Sequence, residues 1–304
     1  MLDETGGPSV RRIALGARLR QLREANGISR KDAGDLIRGS ESKITRMELG
    51  KVSFKERDVS DLLTLYGVVE PAERAPLLSL LTQANQRGWW RSFTDVMPDW
   101  FHSYVGLETS ASLIRVYETQ FIPGLLQTEE YARAVITRGG DDLDATTVDR
   151  RISARMNRQA LLARPEPPRV WAVIDEAALQ RPLAEPVVMC QQLEHLIALD
   201  ERPNITIQVI ALDSDSYPAE GGAFTMLRFA DPEVPDVVYL EHLTGASYLD
   251  RAEDVARYMH MMNNLCLSGT KPGETAEAIR AVAARHASRG ATGHRAQRPD
   301  GETA

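Results

Sequence analysis

The sequence predicts an α+β protein, in which an all-α head of five helices precedes an α+β body with a mostly antiparallel sheet. Two patterns carry this prediction: apolar residues recur with helical spacing through the first 85 residues, and β-type runs begin only near residue 169. The length of 304 residues is enough for about two domains. We therefore expect the head over 1–85, the body over 86–286 and a disordered tail over 287–304, where no apolar side chain exceeds alanine.

The first helix of the head is indicated by Leu15, Leu19 and Leu22, whose spacing of four and three residues puts them on one face. Asn26 and Gly27 end this helix. Ser29 and Ser40 cap a second and a third helix, and Gly39 separates the two. Gly50 ends the third helix, and a fourth carries Val59 and Leu62. Pro71 opens the fifth helix.

The body alternates helical and β-type patterns. Helices are predicted over 104–118, 127–138, 145–163, 176–181, 186–200, 250–267 and 274–286. Strands are predicted over 170–174, 205–210, 224–229 and 237–240. Pro123 and Gly124 indicate a tight turn between the first two of these helices.

The segment 28–50 has the pattern of a helix-turn-helix: two short helices, a tight turn around Gly39, and apolar residues placed to pack the helices together. In that motif the second helix enters the major groove of DNA by its N-terminal end. The helix from Ser40 to Glu48 is therefore the expected reading helix, with Ile44 and Met47 on its core face.

The polar side chains around this helix are the candidate DNA contacts. Arginine and lysine can donate to guanine, serine and threonine can donate or accept, and glutamate can accept from cytosine or hold a neighbouring basic side chain. The candidate contacts are Arg30, Lys31, Ser40, Glu41, Ser42, Lys43, Thr45 and Arg46. Further phosphate contacts are expected from Arg18, Lys51 and Lys55.

The charge distribution points to a polyanionic partner. Thirteen basic and seven acidic side chains give residues 11–60 a charge of +6, whereas the whole chain carries −7. A basic head on an acidic body favours binding to double-stranded DNA. A solvated surface of mixed charge is the alternative interpretation of the same count.

The sequence disfavours several other classes of protein. It has no run of 18 uncharged apolar residues and no apolar core of a secretory signal near its first residue. Cys190 and Cys266 stand far apart without zinc-ribbon spacing and suit a reducing compartment. We expect a cytoplasmic protein without a membrane segment, metal or cofactor.

Catalytic motifs are weak throughout. Asp175 and Glu176 adjoin a predicted strand end, but adjacent residues do not face each other, so a helix cap by Asp175 is the favoured interpretation. The histidines are scattered without metal-binding spacing, and no phosphate-binding loop or nucleophile elbow occurs. We expect no catalytic residues and no enzyme activity.

Aromatic residues cluster after the head, where three of the four tryptophans lie close together. Trp89, Trp90, Trp100 and Tyr104 are candidates to line a pocket for an unknown small-molecule effector, since such pockets are mostly apolar. An interdomain seam or an ordinary core is the favoured interpretation of the same cluster.

Both parts resemble known families. The head resembles the xenobiotic-response-element class of helix-turn-helix proteins, although Arg30 replaces the commoner glutamine and Gly39 stands one residue later than usual. The shared residues are Ser29, Ala33, Gly34, Leu36, Ile37, Ser40, Ser42, Ile44, Arg46, Glu48 and Gly50. The body resembles the uncharacterised C-terminal domain of WhiJ-like, antitoxin-type and developmental regulators of actinobacteria over roughly residues 88–286, most specifically in PGLLQT at 123–128.

This resemblance implies a transcription regulator that binds an operator. It also implies control through the body by a small partner protein encoded nearby or by a ligand. We expect a homodimer, since one short helix reads few base pairs. The alternative is an antitoxin-like interaction module that neutralises a small neighbouring gene product and binds DNA only for autoregulation.

Overall fold

The computed structural model describes residues 8–50, 52–85, 88–139, 143–215, 222–232, 234–271 and 273–296. Contacts divide the chain into two compact units. The first unit holds the residues up to Ser112 together with Leu227–Asp236, and the second holds Leu113–Met226 and the residues from Val237 onwards. The boundary that the sequence placed after residue 85 falls inside the first unit. The α+β class is confirmed.

The first unit begins with the five expected helices. They are α1 (Pro8–Ala25), α2 (Arg30–Leu36), α3 (Glu41–Glu48), α4 (Glu56–Leu65) and α5 (Pro71–Ala84). A 3-10 turn at Trp89–Phe93 and α6 (Asp99–Ser110) follow. Apolar side chains from all five helices form one core: Leu15, Leu19, Ala33, Ile37, Ile44, Met47, Val59, Leu62, Leu63 and Leu81.

The predicted caps of α2 and α3 are present. The Ser29 hydroxyl accepts a hydrogen bond from the Asp32 backbone N–H at 3.1 Å. The Ser40 hydroxyl accepts one from the Lys43 backbone N–H at 3.2 Å. Each cap satisfies a backbone donor that the first turn of a helix leaves without an intrahelical partner.

A buried ion pair joins α1 to the end of α3. The Nε of Arg23 donates to Glu48 Oε1 at 2.5 Å, and both residues are less than a tenth exposed. Another nitrogen of the same guanidinium donates to the Ile28 carbonyl at 2.9 Å, which fixes the chain just before α2. The hydrogen bond to Glu48 raises the pKa of Arg23.

The backbones of α1 and the end of α3 approach each other closely. A Cβ at Gly16 would stand 2.4 Å from the Met47 carbonyl oxygen, so only glycine fits this crossing. Gly50 ends α3 with a φ of +64°, and a Cβ there would stand 2.7 Å from the Ile13 backbone nitrogen. The N-terminal half of α1 and the end of α3 therefore form one rigid contact.

The second unit is built around a mixed sheet of order β3-β2-β1-β4-β5-β6. The strands are β1 (Leu113–Glu118), β2 (Arg169–Asp175), β3 (Ile205–Ile210), β4 (Phe224–Arg228), β5 (Val237–His242) and β6 (Gly245–Leu249). The helices are α7 (Glu129–Thr137), α8 (Ala145–Gln159), α9 (Glu176–Gln180), α10 (Pro186–Asp200), α11 (Ala252–Ser268) and α12 (Thr275–Ala296). Side chains of α11, including Met262 and Leu265, pack on one face of the sheet.

The sheet is mixed in direction. β1 pairs with β2 in parallel, and β2 pairs with β3 in parallel, whereas β5 and β6 are antiparallel. The cause lies in the connections, because α7 and α8 separate β1 from β2 and two further helices separate β2 from β3. Parallel neighbours need such crossovers, and a turn alone cannot join them.

Two expectations differ from the structure. The helix predicted over 104–118 ends with α6 at Ser110, and 113–118 form strand β1, in which Ile114, Val116 and Tyr117 are buried. The helix predicted to end at 286 continues to Ala296, although a disordered tail was expected from 287. Residues 297–304 of that tail lie outside the described residues.

The PGLLQT segment forms a 3-10 turn at Gly124–Leu126, between β1 and α7 and not between two helices as the sequence indicated. Glutamine side chains satisfy its backbone. Gln192 donates to the Leu126 carbonyl at 2.8 Å and accepts from the Thr128 N–H at 2.6 Å. Gln127, inside the motif, donates to the Ile122 carbonyl at 2.6 Å. The motif is therefore a buried structural joint.

Glu118 ends β1 in a half-buried position near Glu241. Burial, and secondly the charge of Glu241, raise the pKa of Glu118 to about 8. The Tyr239 hydroxyl donates to Glu241 at 2.9 Å and so holds that second carboxylate in place. Glu118 is consequently protonated in the folded chain at neutral pH.

We expect Glu48→Ala to lower the free energy of unfolding by about 3–5 kcal/mol, because it leaves the buried Arg23 guanidinium without its carboxylate. Urea unfolding followed by circular dichroism measures this loss. The matched control is Glu24→Ala, since Glu24 also contacts Arg23 at 3.2 Å but has a half-exposed side chain. Its cost should be much smaller, because water screens an exposed ion pair. Equal losses in the two variants would contradict the role of the buried pair.

We expect the stability of the second unit to fall as the pH rises from 4.5, the ordinary pKa of glutamate, to about 8. In that window the unfolded chain has lost the Glu118 proton while the folded chain keeps it, so a higher pH favours unfolding. Glu118→Gln should remove this part of the decline, and Glu130→Gln, at an exposed site, should not. Urea midpoints from pH 5 to 8.5 measure the effect. Parallel curves for wild type and Glu118→Gln would refute the assignment.

Candidate nucleic-acid interface

The turn between α2 and α3 has a strained residue. Arg38 adopts a φ of +50°, in the left-handed region that favours glycine, and Gly39 follows it. The Gly39 N–H donates to the Gly34 carbonyl at 2.8 Å and closes the end of α2. The displaced glycine that the sequence shows at this turn therefore has a structural consequence, since an arginine occupies the left-handed position.

The helix α3 presents the two faces that the sequence predicts. Ile44 and Met47 are 1% and 2% exposed and lie in the core of the first unit. Glu41, Ser42 and Arg46 are exposed. Nε of Arg46 donates to the Ser42 carbonyl at 3.3 Å. These three side chains form the accessible surface of the helix.

Three other candidate residues on α3 are engaged within the protein. Lys43 Nζ lies 2.7 Å from the Asp58 carboxylate of α4. The Thr45 hydroxyl donates to the Glu41 carbonyl at 3.0 Å, and the Ser40 hydroxyl is occupied as the cap of α3. A base contact by Lys43 would have to compete with this ion pair.

The remaining candidates lie on the flanks. Arg30 and Lys31, in the first turn of α2, are exposed, and Nε of Arg30 lies 3.3 Å from Glu48 Oε2. Arg18 is exposed on α1 and donates to Gln21 at 2.9 Å. Lys55 is exposed immediately before α4. Lys51 lies outside the described residues.

Sequence reasoning missed Asp58, Arg38 and the pairing of Glu48 with Arg23. Asp58 and Lys43 are fifteen residues apart and lie on different helices, so no local spacing signals the contact. The signal for Arg38 was present, because the glycine of the turn stands one residue late. Only a tertiary contact map could have assigned Glu48 to Arg23 and Arg30.

The four aromatic residues considered for an effector pocket lie in the 3-10 turn and in α6 of the first unit. Trp90 is buried and lines a cavity of the first unit, whereas Trp89 packs edge-on against Trp90 and Phe93. Trp100 contacts Phe101 edge-on, and Phe101 stacks on Tyr104 with ring centroids 5.4 Å apart. These rings contribute mainly to packing among themselves.

Among the described residues, no group of three or more His, Cys, Asp or Glu side chains is arranged to hold a metal ion. Asp175 caps α9 as predicted, its carboxylate accepting from the Ala177 N–H at 2.8 Å. No helix within the described ranges is both long and apolar enough to cross a bilayer. The absence of catalytic, metal and cofactor sites remains a prediction.

The capped helices, the tight turn and the exposed polar face of α3 define the class of this part of the chain: it is a helix-turn-helix domain, as found in DNA-binding regulators. A family model described as a helix-turn-helix domain matches residues 14–77.

A second family model, described as a domain of unknown function (DUF5753), matches residues 101–281. Since the match covers more than half of the chain, the protein belongs to the DUF5753 family. No curated protein and no solved structure matches the chain.

We expect Arg38→Gly to raise the free energy of unfolding by about 0.5–1 kcal/mol. Glycine relieves the left-handed strain, while its greater freedom in the unfolded chain offsets part of the gain. Arg38→Ala is the control, because it removes the same charge and keeps the strained φ. Urea unfolding of both variants measures the difference, and equal stability of the two would rule out backbone strain as the cause.

Proposed function

We propose that this protein is a sequence-specific DNA-binding transcription regulator that reads the major groove with α3. The observation that carries the proposal is the exposed set Glu41, Ser42 and Arg46 on a capped helix whose opposite face is buried. A rigid helix with exposed donors and acceptors at its N-terminal end is what direct readout of base edges requires.

The proposed roles differ among the candidate residues. Arg46 can donate to guanine O6 and N7, and Ser42 and Glu41 can read neighbouring base edges. Arg30, Lys31, Arg18 and the other flanking cations supply phosphate contacts, which give affinity that depends on salt but carry no sequence information. In this proposal Lys43 exchanges Asp58 for DNA or stays as a support of the α3–α4 packing.

The proposal extends to control through the second unit. The resemblance to actinobacterial antitoxin-type regulators supports a body that responds to a small partner protein or a ligand. We propose that the protein acts as a homodimer, because α3 spans only Glu41–Glu48 and can contact few base pairs. The role needs no catalysis by the chain itself.

The test is selection of bound sequences from a random duplex library by the purified full chain at two salt concentrations. An inverted repeat with half-sites about one helical turn apart supports a dimeric, self-sufficient regulator. Absence of any enriched sequence, with only weak binding that disappears at higher salt, refutes independent readout. Co-purification of a neighbouring gene product in that case would favour the antitoxin-like role.

We expect Arg46→Ala to weaken binding to the selected sequence by about 1–3 kcal/mol and to relax the base preference at one position. Lys31→Ala is the control for a phosphate contact, since it should weaken all sequences about equally and reduce the salt slope by about one. Fluorescence anisotropy on the selected and a scrambled duplex measures both. An unchanged preference in Arg46→Ala would remove this side chain from base readout.

A further inference from the structure

A cavity of about 570 Å³ lies within the first unit, and none of the residues that line it belongs to α3. Its wall is drawn from five places: Arg12 of α1, Ser53 before α4, Asn85 at the end of α5, Trp90 and Arg91 of the 3-10 turn, and His102 of α6. A volume of this size suits a small molecule up to about the size of a nucleotide.

The charge of the lining is one-sided. Arg12 and Arg91 both face the cavity, and none of the described lining residues is an aspartate or glutamate. Burial, and secondly the positive charge of Arg91, lower the pKa of Arg12. Two like charges that repel each other beside a cavity are stabilised by an anion placed between them.

The other lining groups suit an anion as well. Ser53, Thr94 and Ser103 bring hydroxyls and Asn85 brings an amide to the wall, and each of these groups can donate hydrogen bonds. Arginine recognises phosphate and carboxylate through paired N–H donors, so two arginines select a ligand that carries at least two negative charges.

We propose that this cavity is an effector site for a small phosphorylated anion, and that its occupation changes the affinity of α3 for DNA. The regulatory half of this inference rests on the proposed function, whereas the anion site stands on the cavity alone.

The route from the cavity to α3 is short. Arg12 immediately precedes Ile13, whose backbone nitrogen approaches Gly50 at the end of α3. Ser53 belongs to the loop that leaves α3, and Asn85 holds the next residue by donating to the Phe54 carbonyl at 2.8 Å and accepting from the Phe54 N–H at 3.4 Å. An anion that draws Arg12, Ser53 and Asn85 together therefore acts on the end of α3 in two ways: through the contact of Ile13 with Gly50, and through the loop that contains Ser53.

The first experiment measures binding without DNA. Inorganic pyrophosphate is titrated into the full chain by calorimetry at constant ionic strength, with wild type, Arg91→Gln and Arg57→Gln compared. Arg57 is an exposed arginine of α4 outside the cavity, so its variant makes the same charge change elsewhere. Thermal unfolding of each variant confirms that it is folded.

We expect saturable binding to wild type and Arg57→Gln, and binding at least tenfold weaker to Arg91→Gln. Arg12→Gln should behave as Arg91→Gln does. Absence of saturable binding to wild type, or equal affinity in all variants, overturns the anion site.

The second experiment measures affinity for the selected duplex with and without pyrophosphate, sodium chloride keeping the ionic strength equal. We expect at least a threefold change in wild type and none in Arg91→Gln. Pyrophosphate binding with unchanged DNA affinity overturns the effector role. Loss of DNA binding in Arg91→Gln without any pyrophosphate binding assigns the arginines to DNA phosphates instead. Pyrophosphate binding by a chain that selects no DNA sequence overturns the proposed function and leaves the anion site standing.

Discussion

The buried pair of Arg23 and Glu48 is the constraint on which the helix-turn-helix depends. Removing both charges from water is costly, and the cost is offset because the pair is bidentate and the remaining guanidinium donors reach the Ile28 carbonyl and Glu24. One guanidinium thus fixes the end of α3, the entry to α2 and the last turns of α1. The direction in which α3 presents its polar face follows from this contact.

The side chains of α3 fall into two groups, one that holds the helix in place and one that is exposed for recognition. Its cap, its core residues and the Lys43–Asp58 pair are committed to holding the helix, while Arg46 and its exposed neighbours make only local contacts. A rigid helix that leaves few polar groups free loses little side-chain entropy when those groups meet base edges. The end of α3 also lies close to α1, because a Cβ at Gly50 would stand 2.7 Å from the backbone nitrogen of Ile13, the residue after Arg12.

The sequence was sufficient where local chemistry decides the structure. Ser29 and Ser40 as caps, Ile44 and Met47 as core, and the bounds of α10 all follow from residue type and spacing. It was insufficient where a long-range contact decides. Residues 113–118 have enough apolar positions for a helix and become a strand because β2 lies beside them. The Arg23–Glu48 and Lys43–Asp58 pairs join helices distant in sequence, so no periodicity encodes them.

The residues that carry the family resemblance differ from the residues that are proposed to bind DNA or a ligand. PGLLQT is the most specific stretch of the resemblance, yet here its backbone carbonyls accept hydrogen bonds from the side chains of Gln159 and Gln192. A segment whose polar groups are engaged internally in this way offers little to a ligand. In the proposed function, sequence specificity comes from the exposed donors of α3, and control comes from the cavity of the first unit that Arg12 and Arg91 line.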